Sequence, residues 1–179
     1  IVSPFLSRSL LKDFEDKVAP CNVLVSIPEE LGSIDSGFLG RESREVYVLN
    51  PDADPPETDE DESHLQAESR QLARLRGLHA KLFIVEDGRY SWTFTGSANA
   101  TSAAFGRNIE FLVELRTTKT RCGIDRLLDG WGENDKGLRD YLIEYNADED
   151  QASEEDPLIK KLEKKLDDGR RALSRIPLR

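Results

Sequence analysis

The chain is 179 residues long, 37% hydrophobic and 34% charged, with a formal charge of −10. That length fits one domain, or one domain with a tail, and is enough to bury a hydrophobic core. No apolar run approaches a membrane span and no basic-then-apolar leader opens the sequence, so a cytoplasmic domain is expected, and the start at Ile1 without Met reads as a piece of a longer protein.

The charge is unevenly placed. Seven acids lie between Asp52 and Glu62 and six between Asp148 and Asp156, with no Lys or Arg in either window. Without those windows 22 acids face 25 bases, a mildly basic body that does not repel a polyanionic substrate. Cys21 and Cys122 form no CxxC pair and read as free thiols of a reducing compartment. The only histidines are His64 and His79, so a metal site is not expected.

In chain order, Ile1–Phe5 reads as the end of a strand leaving into a turn at Pro4. Ser7–Val18 places Leu10, Leu11, Phe14 and Val18 at helical spacing, with Ser7 or Ser9 as N-cap. Asn22–Ile27 and Glu45–Leu49 are short apolar strands. Residues 50–62 form an acidic, proline-bearing loop whose composition cannot pack. Ser63–Leu75 is helical. His64 in it is a solvated residue, and Arg70, Arg74 and Arg76 form a solvated face. Leu78–Glu86 is a strand, Asp87-Gly88 a hairpin signal, and Tyr90–Thr95 the return strand, on which Trp92 and Phe94 are core residues. Ser97–Phe105 forms a short helix or structured loop, Ile109–Leu115 a strand, and Cys122–Leu128 and Lys136–Tyr145 short helices. An acidic linker at 147–157 then leads to an amphipathic helix and tail at 158–179. Alternating strands and helices indicate an α/β layer fold for residues 1–146.

Three short pieces carry chemistry. His79 and Lys81, two apart at a strand start, point to one side. Ser97 and Asn99, in Gly96-Ser97-Ala98-Asn99, return beside them at the end of the hairpin and offer donors to phosphate oxygens. Glu110, entering the next strand, is placed to accept the second ring N–H of His79 and fix its tautomer.

Gly77-Leu78-His79-Ala80-Lys81-Leu82-Phe83, Gly96-Ser97-Ala98-Asn99 and Asn108-Ile109-Glu110 together resemble the HKD motif of the phospholipase D superfamily, in its single-motif, bacterial nuclease-like form. Ser3-Pro4-Phe5-Leu6-Ser7 is similar to the strand-exit segment of such members. The family aspartate falls four residues after Lys81, where this chain has Glu86 followed by Asp87. The resemblance implies a mixed β-sheet flanked by helices on both faces. It also implies a metal-independent, cofactor-free phosphodiesterase that works through a phosphohistidine. His79, Lys81, Ser97, Asn99 and Glu110 would be the catalytic set, with Lys81, Ser97 and Asn99 holding the phosphate. Two such halves build one family pocket, so the second comes from a homodimer or from the remainder of a parent chain. A nuclease domain acting on nucleic acid, in a larger DNA-processing or defence protein, is the expected function. A phospholipase or phosphatidyltransferase, and a catalytically idle nucleic-acid-binding or scaffolding domain, are the alternatives.

Overall fold

A computed structural model describes residues 1–50, 53, 77–132 and 135–146. The chain divides into two units, Ile1–Tyr145 and Asn146–Arg179, and the following concerns the first. The expectations for residues 54–76, including His64 and the arginines near it, and for 147–179 lie outside the described residues.

The unit is mixed α/β. Strands β1 (Val23–Val25), β2 (Glu45–Leu49) and β6 (Leu142–Glu144) form one three-stranded sheet in the order β1-β2-β6. Strands β3 (Leu82–Asp87), β4 (Tyr90–Gly96) and β5 (Leu112–Thr118) form another in the order β3-β4-β5. In the first sheet β1 runs parallel to β2 and β6 antiparallel to it, while the second is antiparallel throughout. Residues Ile1–Ser3 join the two. Val2 bridges Val25 in parallel and Leu82 in antiparallel sense. Its N–H donates to the Leu82 carbonyl at 2.8 Å, and the Leu82 N–H donates back at 2.9 Å. On the other side the Ser3 N–H reaches Val25 O at 3.0 Å and the Val25 N–H reaches Ile1 O at 2.9 Å.

The first helix, α1 (Arg8–Lys17), follows from the Leu10, Leu11, Phe14 spacing and ends one residue short of Val18. Ser7 occupies its N-cap position, but the hydroxyl makes no cap and instead accepts the Ser102 N–H at 2.8 Å. Two short helices, α2 (Pro28–Gly32) and α3 (Ser36–Leu39), were not foreseen. Pro28 starts the first, where a missing N–H costs nothing, and the Asp35 carboxylate caps the second by accepting from Phe38 N.

Leu11, Leu24 and Leu31 are fully buried, and with Val46, Val48 and Phe83 they belong to the main core. Each such side chain contributes about 1.5–3 kcal/mol relative to exposure. Alternation along β1 and β2 sends Val25 to the opposite face, where Val2, Leu78 and Leu142 form a second cluster, so the first sheet is buried on both sides. The second sheet is anchored to α1 and to α4 (Ser102–Gly106) by Phe14, Phe83 and Phe105. Their rings meet edge to face in all three pairings, at centroid distances of 5.2 to 5.8 Å.

A buried ion pair ties the loop before β2 to α1. Arg44 donates to the Glu15 carboxylate, to Phe38 O and, at 2.8 Å, to Cys21 O, with its guanidinium 3.8 Å from the Phe38 ring centre. Both Cys21 and Cys122 are free thiols, and burial pushes the Cys21 thiol up from its ordinary value.

Three expectations need correction. The strand expected over Ile109–Leu115 lies at Leu112–Thr118, because its partner β4 begins at Tyr90 and pairs that residue with Thr118. The helix expected over Cys122–Leu128 is two, α5 (Lys119–Cys122) and α6 (Ile124–Asp129), broken at Gly123. A Cβ there would lie 2.5 Å from the Glu86 carboxylate, which accepts the Ile124 N–H at 2.8 Å. The helix expected over Lys136–Tyr145 is a 3-10 turn, Leu138–Tyr141, followed by β6, because Leu142–Glu144 pairs with β2. Among the described residues no helix is long and apolar enough to cross a membrane.

Ser3 is the link from this seam to the motif loops. It is fully buried, its hydroxyl donates to Phe5 O at 2.7 Å, and it accepts the Ala100 N–H at 2.9 Å. Ser3→Ala leaves a buried N–H and a C=O without these partners. It is expected to lower unfolding stability by about 1–3 kcal/mol in urea titration. A change below the error of the titration contradicts the assignment.

Candidate functional site

The hairpin of β3 and β4 turns through Gly88-Arg89, between the paired residues Asp87 and Tyr90. Gly88 has φ +53° and among the described residues no non-glycine residue has positive φ, the pattern of a two-residue loop with glycine first. The opposite end of the second sheet gathers the motif pieces: the residues entering β3, those leaving β4, and those entering β5.

His79, Ala80 and Lys81 precede the strand rather than lie in it, since β3 starts at Leu82 and not at the expected Leu78. Leu78 is instead buried in the second apolar cluster. The Lys81 carbonyl accepts the Thr95 hydroxyl at 3.0 Å, which ties the segment to β4. The Lys81 ammonium folds back and donates to the His79 carbonyl, also at 3.0 Å. His79 itself is exposed, and among the described residues no side chain hydrogen-bonds its imidazole.

Gly96 ends β4 opposite Leu112. A Cβ there would lie 1.9 Å from Phe111 O, so this close approach of two backbones requires glycine. Ser97 then locks the two segments together. Its N–H donates to Phe111 O at 2.9 Å, its hydroxyl accepts the Phe111 N–H at 3.0 Å, and the same hydroxyl donates to the Glu110 carboxylate. Asn108 Nδ2 donates to the other carboxylate oxygen at 3.2 Å. These two bonds, Ser97 first and Asn108 second, hold the Glu110 carboxyl below the usual carboxylate range, and the Lys81 charge adds to the effect. Lys81, Ser97, Asn108 and Glu110 are therefore one electrostatic group.

Glu110 was expected to accept a ring N–H of His79. It is occupied by Ser97 and Asn108 instead, because the tight Ser97–Phe111 pairing sets the carboxylate over its own loop. Asn99 differs from expectation too. Its side chain is half-buried, with Oδ1 inaccessible and without a hydrogen-bond partner, so it is no part of the Lys81–Glu110 group. Buried amide oxygens are normally satisfied, and this one calls for a donor. The loop between Ser97 and Thr101 is braced from the N-terminal segment: Leu6 bridges Ala100, Ser7 N–H donates to Ala100 O at 2.8 Å, and Ser9 and Ser102 hydroxyls meet at 2.7 Å.

Several contributors were missed in the sequence. Asn108 was read only as part of the motif, and Thr95 only as strand. Their roles depend on pairing register, which no local pattern encodes. Glu86, which stands where the resembled motif has aspartate, accepts the N–H of Ile124 and pairs with Lys119 at 3.2 Å. It thus serves the first turn of α6 and the start of α5, a structural task. Asp87 lies at the far end of the hairpin.

A cavity of about 640 Å³ lies elsewhere. It lies between β1 and β3, lined by Val23, Val25, Leu82, Ile84 and Phe14 among others, and includes none of His79, Lys81, Ser97, Asn99 or Glu110. The motif end is open surface, on which the exposed side chains of Ile109 and Phe111 flank Glu110. Among the described residues no three His, Cys, Asp or Glu side chains gather to hold a metal ion.

The lowered Glu110 value has a sign. A carboxylate whose folded pKa lies below its unfolded one contributes stability above the unfolded value, and loses it as pH falls through the folded value. Carboxylate-detected NMR titration should place the Glu110 midpoint below that of an ordinary glutamate, and Ser97→Ala should raise it. A midpoint at the ordinary value, unmoved by the substitution, contradicts the hydrogen-bonded arrangement. In comparisons with known proteins, no family model matches the chain, and no curated protein matches it significantly.

Proposed function

We propose that this domain is one catalytic half of a metal-independent phosphodiesterase that works through a phosphohistidine, and that it acts on nucleic acid in the cytoplasm. The observation that carries the reading is the convergence of Lys81, Ser97 and Glu110 beside the segment bearing His79.

The chemistry asks two things of such a cluster. A phosphodiester is an anion, and its non-bridging oxygens must be neutralised as charge builds up in the transition state. The Lys81 ammonium is the group suited to that, and it gives up only a bond to a carbonyl, that of His79, to do so. The Ser97 hydroxyl becomes a further donor only once released from Glu110. The second requirement is a nucleophile. A neutral imidazole nitrogen of His79 attacks phosphorus, a P–N bond forms and the P–O bond to the leaving group breaks. The leaving oxygen takes its proton from a second acid. Water then attacks phosphorus, loses its proton to that same group, and the P–N bond breaks.

The second acid is the missing element, and the reading assigns it to a second half, from another copy or from a longer parent. Arrival of that half would orient the exposed His79 ring and enclose the Lys81 ammonium. A catalytically idle binding domain is the second reading. What favours it is the present commitment of Ser97 to Glu110, with the imidazole free of an orienting partner among the described residues.

The test is cleavage of plasmid, single-stranded DNA, RNA and phospholipid vesicles in EDTA. Nucleic-acid cleavage that survives the chelator, disappears in His79→Ala and falls by about 10²–10³ in Lys81→Ala is the expected result. Loss of activity in EDTA, or equal activity in His79→Ala, refutes the mechanism. Cleavage confined to vesicles moves the substrate to lipid, and binding without cleavage supports the idle reading.

A further inference from the structure

Strand β5 is the last of its sheet, and among the described residues no strand lies along its outer edge. Proteins usually blunt such an edge with proline, lysine or a bulge. β5 contains neither residue, and it pairs with β4 in unbroken register from Tyr90↔Thr118 to Gly96↔Leu112. Leu112, Val113 and Leu115 are 36%, 37% and 54% exposed.

The hydrogen-bond phase says which main-chain groups face outward. Ser97 N–H donates to Phe111 O and Lys119 N–H to Arg89 O, so the odd-numbered residues of β5 turn their polar groups towards β4. Those of Leu112, Glu114, Arg116 and Thr118 point to the open edge. The sequence Val113-Glu114-Leu115-Arg116-Thr117 is complementary to itself when reversed. Antiparallel pairing of two copies about Leu115 opposes Glu114 with Arg116 twice, as hydrogen-bonded pairs of opposite charge. It opposes Leu115 with Leu115 at the closer, non-hydrogen-bonded spacing, where side chains touch best. Arg116 is already held on the sheet face, its guanidinium 4.6 Å from the Tyr90 ring centre and 5.2 Å from that of Trp92.

We propose that β5 pairs edge to edge and antiparallel with β5 of a second copy, about a twofold axis at Leu115, joining their β3-β4-β5 sheets into one. The occupant is a second copy because a reversed β5 matches both charges and the apolar centre in one register. In this register Glu110 of one copy is opposite residue 120 of the other, about 34 Å along the strands from the second Glu110. The pairing therefore does not bring the two His79 side chains together, and it stands apart from the proposed reaction.

Charge reversal tests it on the full chain by sedimentation across a concentration series. Wild type is expected to show a monomer–dimer equilibrium. Glu114→Arg and Arg116→Glu are each expected to weaken it by about tenfold or more, and the double reversal to restore it. Mixing the two single variants should give heterodimers, since each then meets opposite charge at both positions. Circular dichroism verifies that the variants are folded, and if Arg116→Glu is not, Arg116→Asp takes its place in the mixture. A chain that is monomeric throughout overturns the proposal. So does a dimer indifferent to both reversals, or a mixture and a double variant that fail to recover association.

Discussion

The three residues Ile1–Ser3 are the constraint on which the rest depends. Their main chain bonds to β1 on one side and to β3 on the other, so two small sheets share one seam. The same residues leave directly into Pro4–Ser7, which lies against the loop after β4. A three-stranded antiparallel sheet with one long exposed edge is marginal by itself. Here it gains a neighbour through Val2, a core through Phe83, and a fixed loop through Ser3 and Ser7. The position of Ser97 relative to Lys81 is thus set by sheet register and not by loop chance, which is how a charged group is held steady at a surface.

At the motif end Ser97 and Asn108 donate to the Glu110 carboxylate, and Lys81 donates to the His79 carbonyl. Glu110 is a carboxylate, which would repel the phosphate of the proposed substrate. Its present bonds give it a different part. By accepting from Ser97 and Asn108 it holds the β4–β5 junction closed. The proposal that a second half completes the site rests on the exposure of His79. An exposed imidazole with rotational freedom is a poor nucleophile, and orientation is worth several kcal/mol in such reactions.

Most of the second sheet was legible in the sequence. Asp87-Gly88 between two alternating apolar runs announces a hairpin, and Gly96-Ser97 announces its end. The first sheet was half legible: Glu45–Leu49 was read with the right bounds, whereas β6 was taken for helix. Leu138, Tyr141, Leu142 and Tyr145 sit at spacings of three and four that fit a helix equally well, and only pairing with β2 decides the matter. The helices α2 and α3 span five and four residues, too short for any period to declare itself, although Pro28 and Asp35 were visible start signals. In the candidate site, residue types and their gathering at one sheet end could be read from spacing. The partner of Glu110 could not, because it depends on Ser97 reaching across to Phe111, a contact made by register.

The central claim, that His79 is a nucleophile towards phosphorus beside Lys81, is tested most directly by trapping the covalent species. Rapid acid-free quenching of the chain with a labelled oligonucleotide, followed by peptide mass spectrometry, should find the phosphoryl-bearing fragment on the peptide containing His79, labile to acid and stable to base. Turnover without any adduct, or an adduct on another residue, would contradict the account.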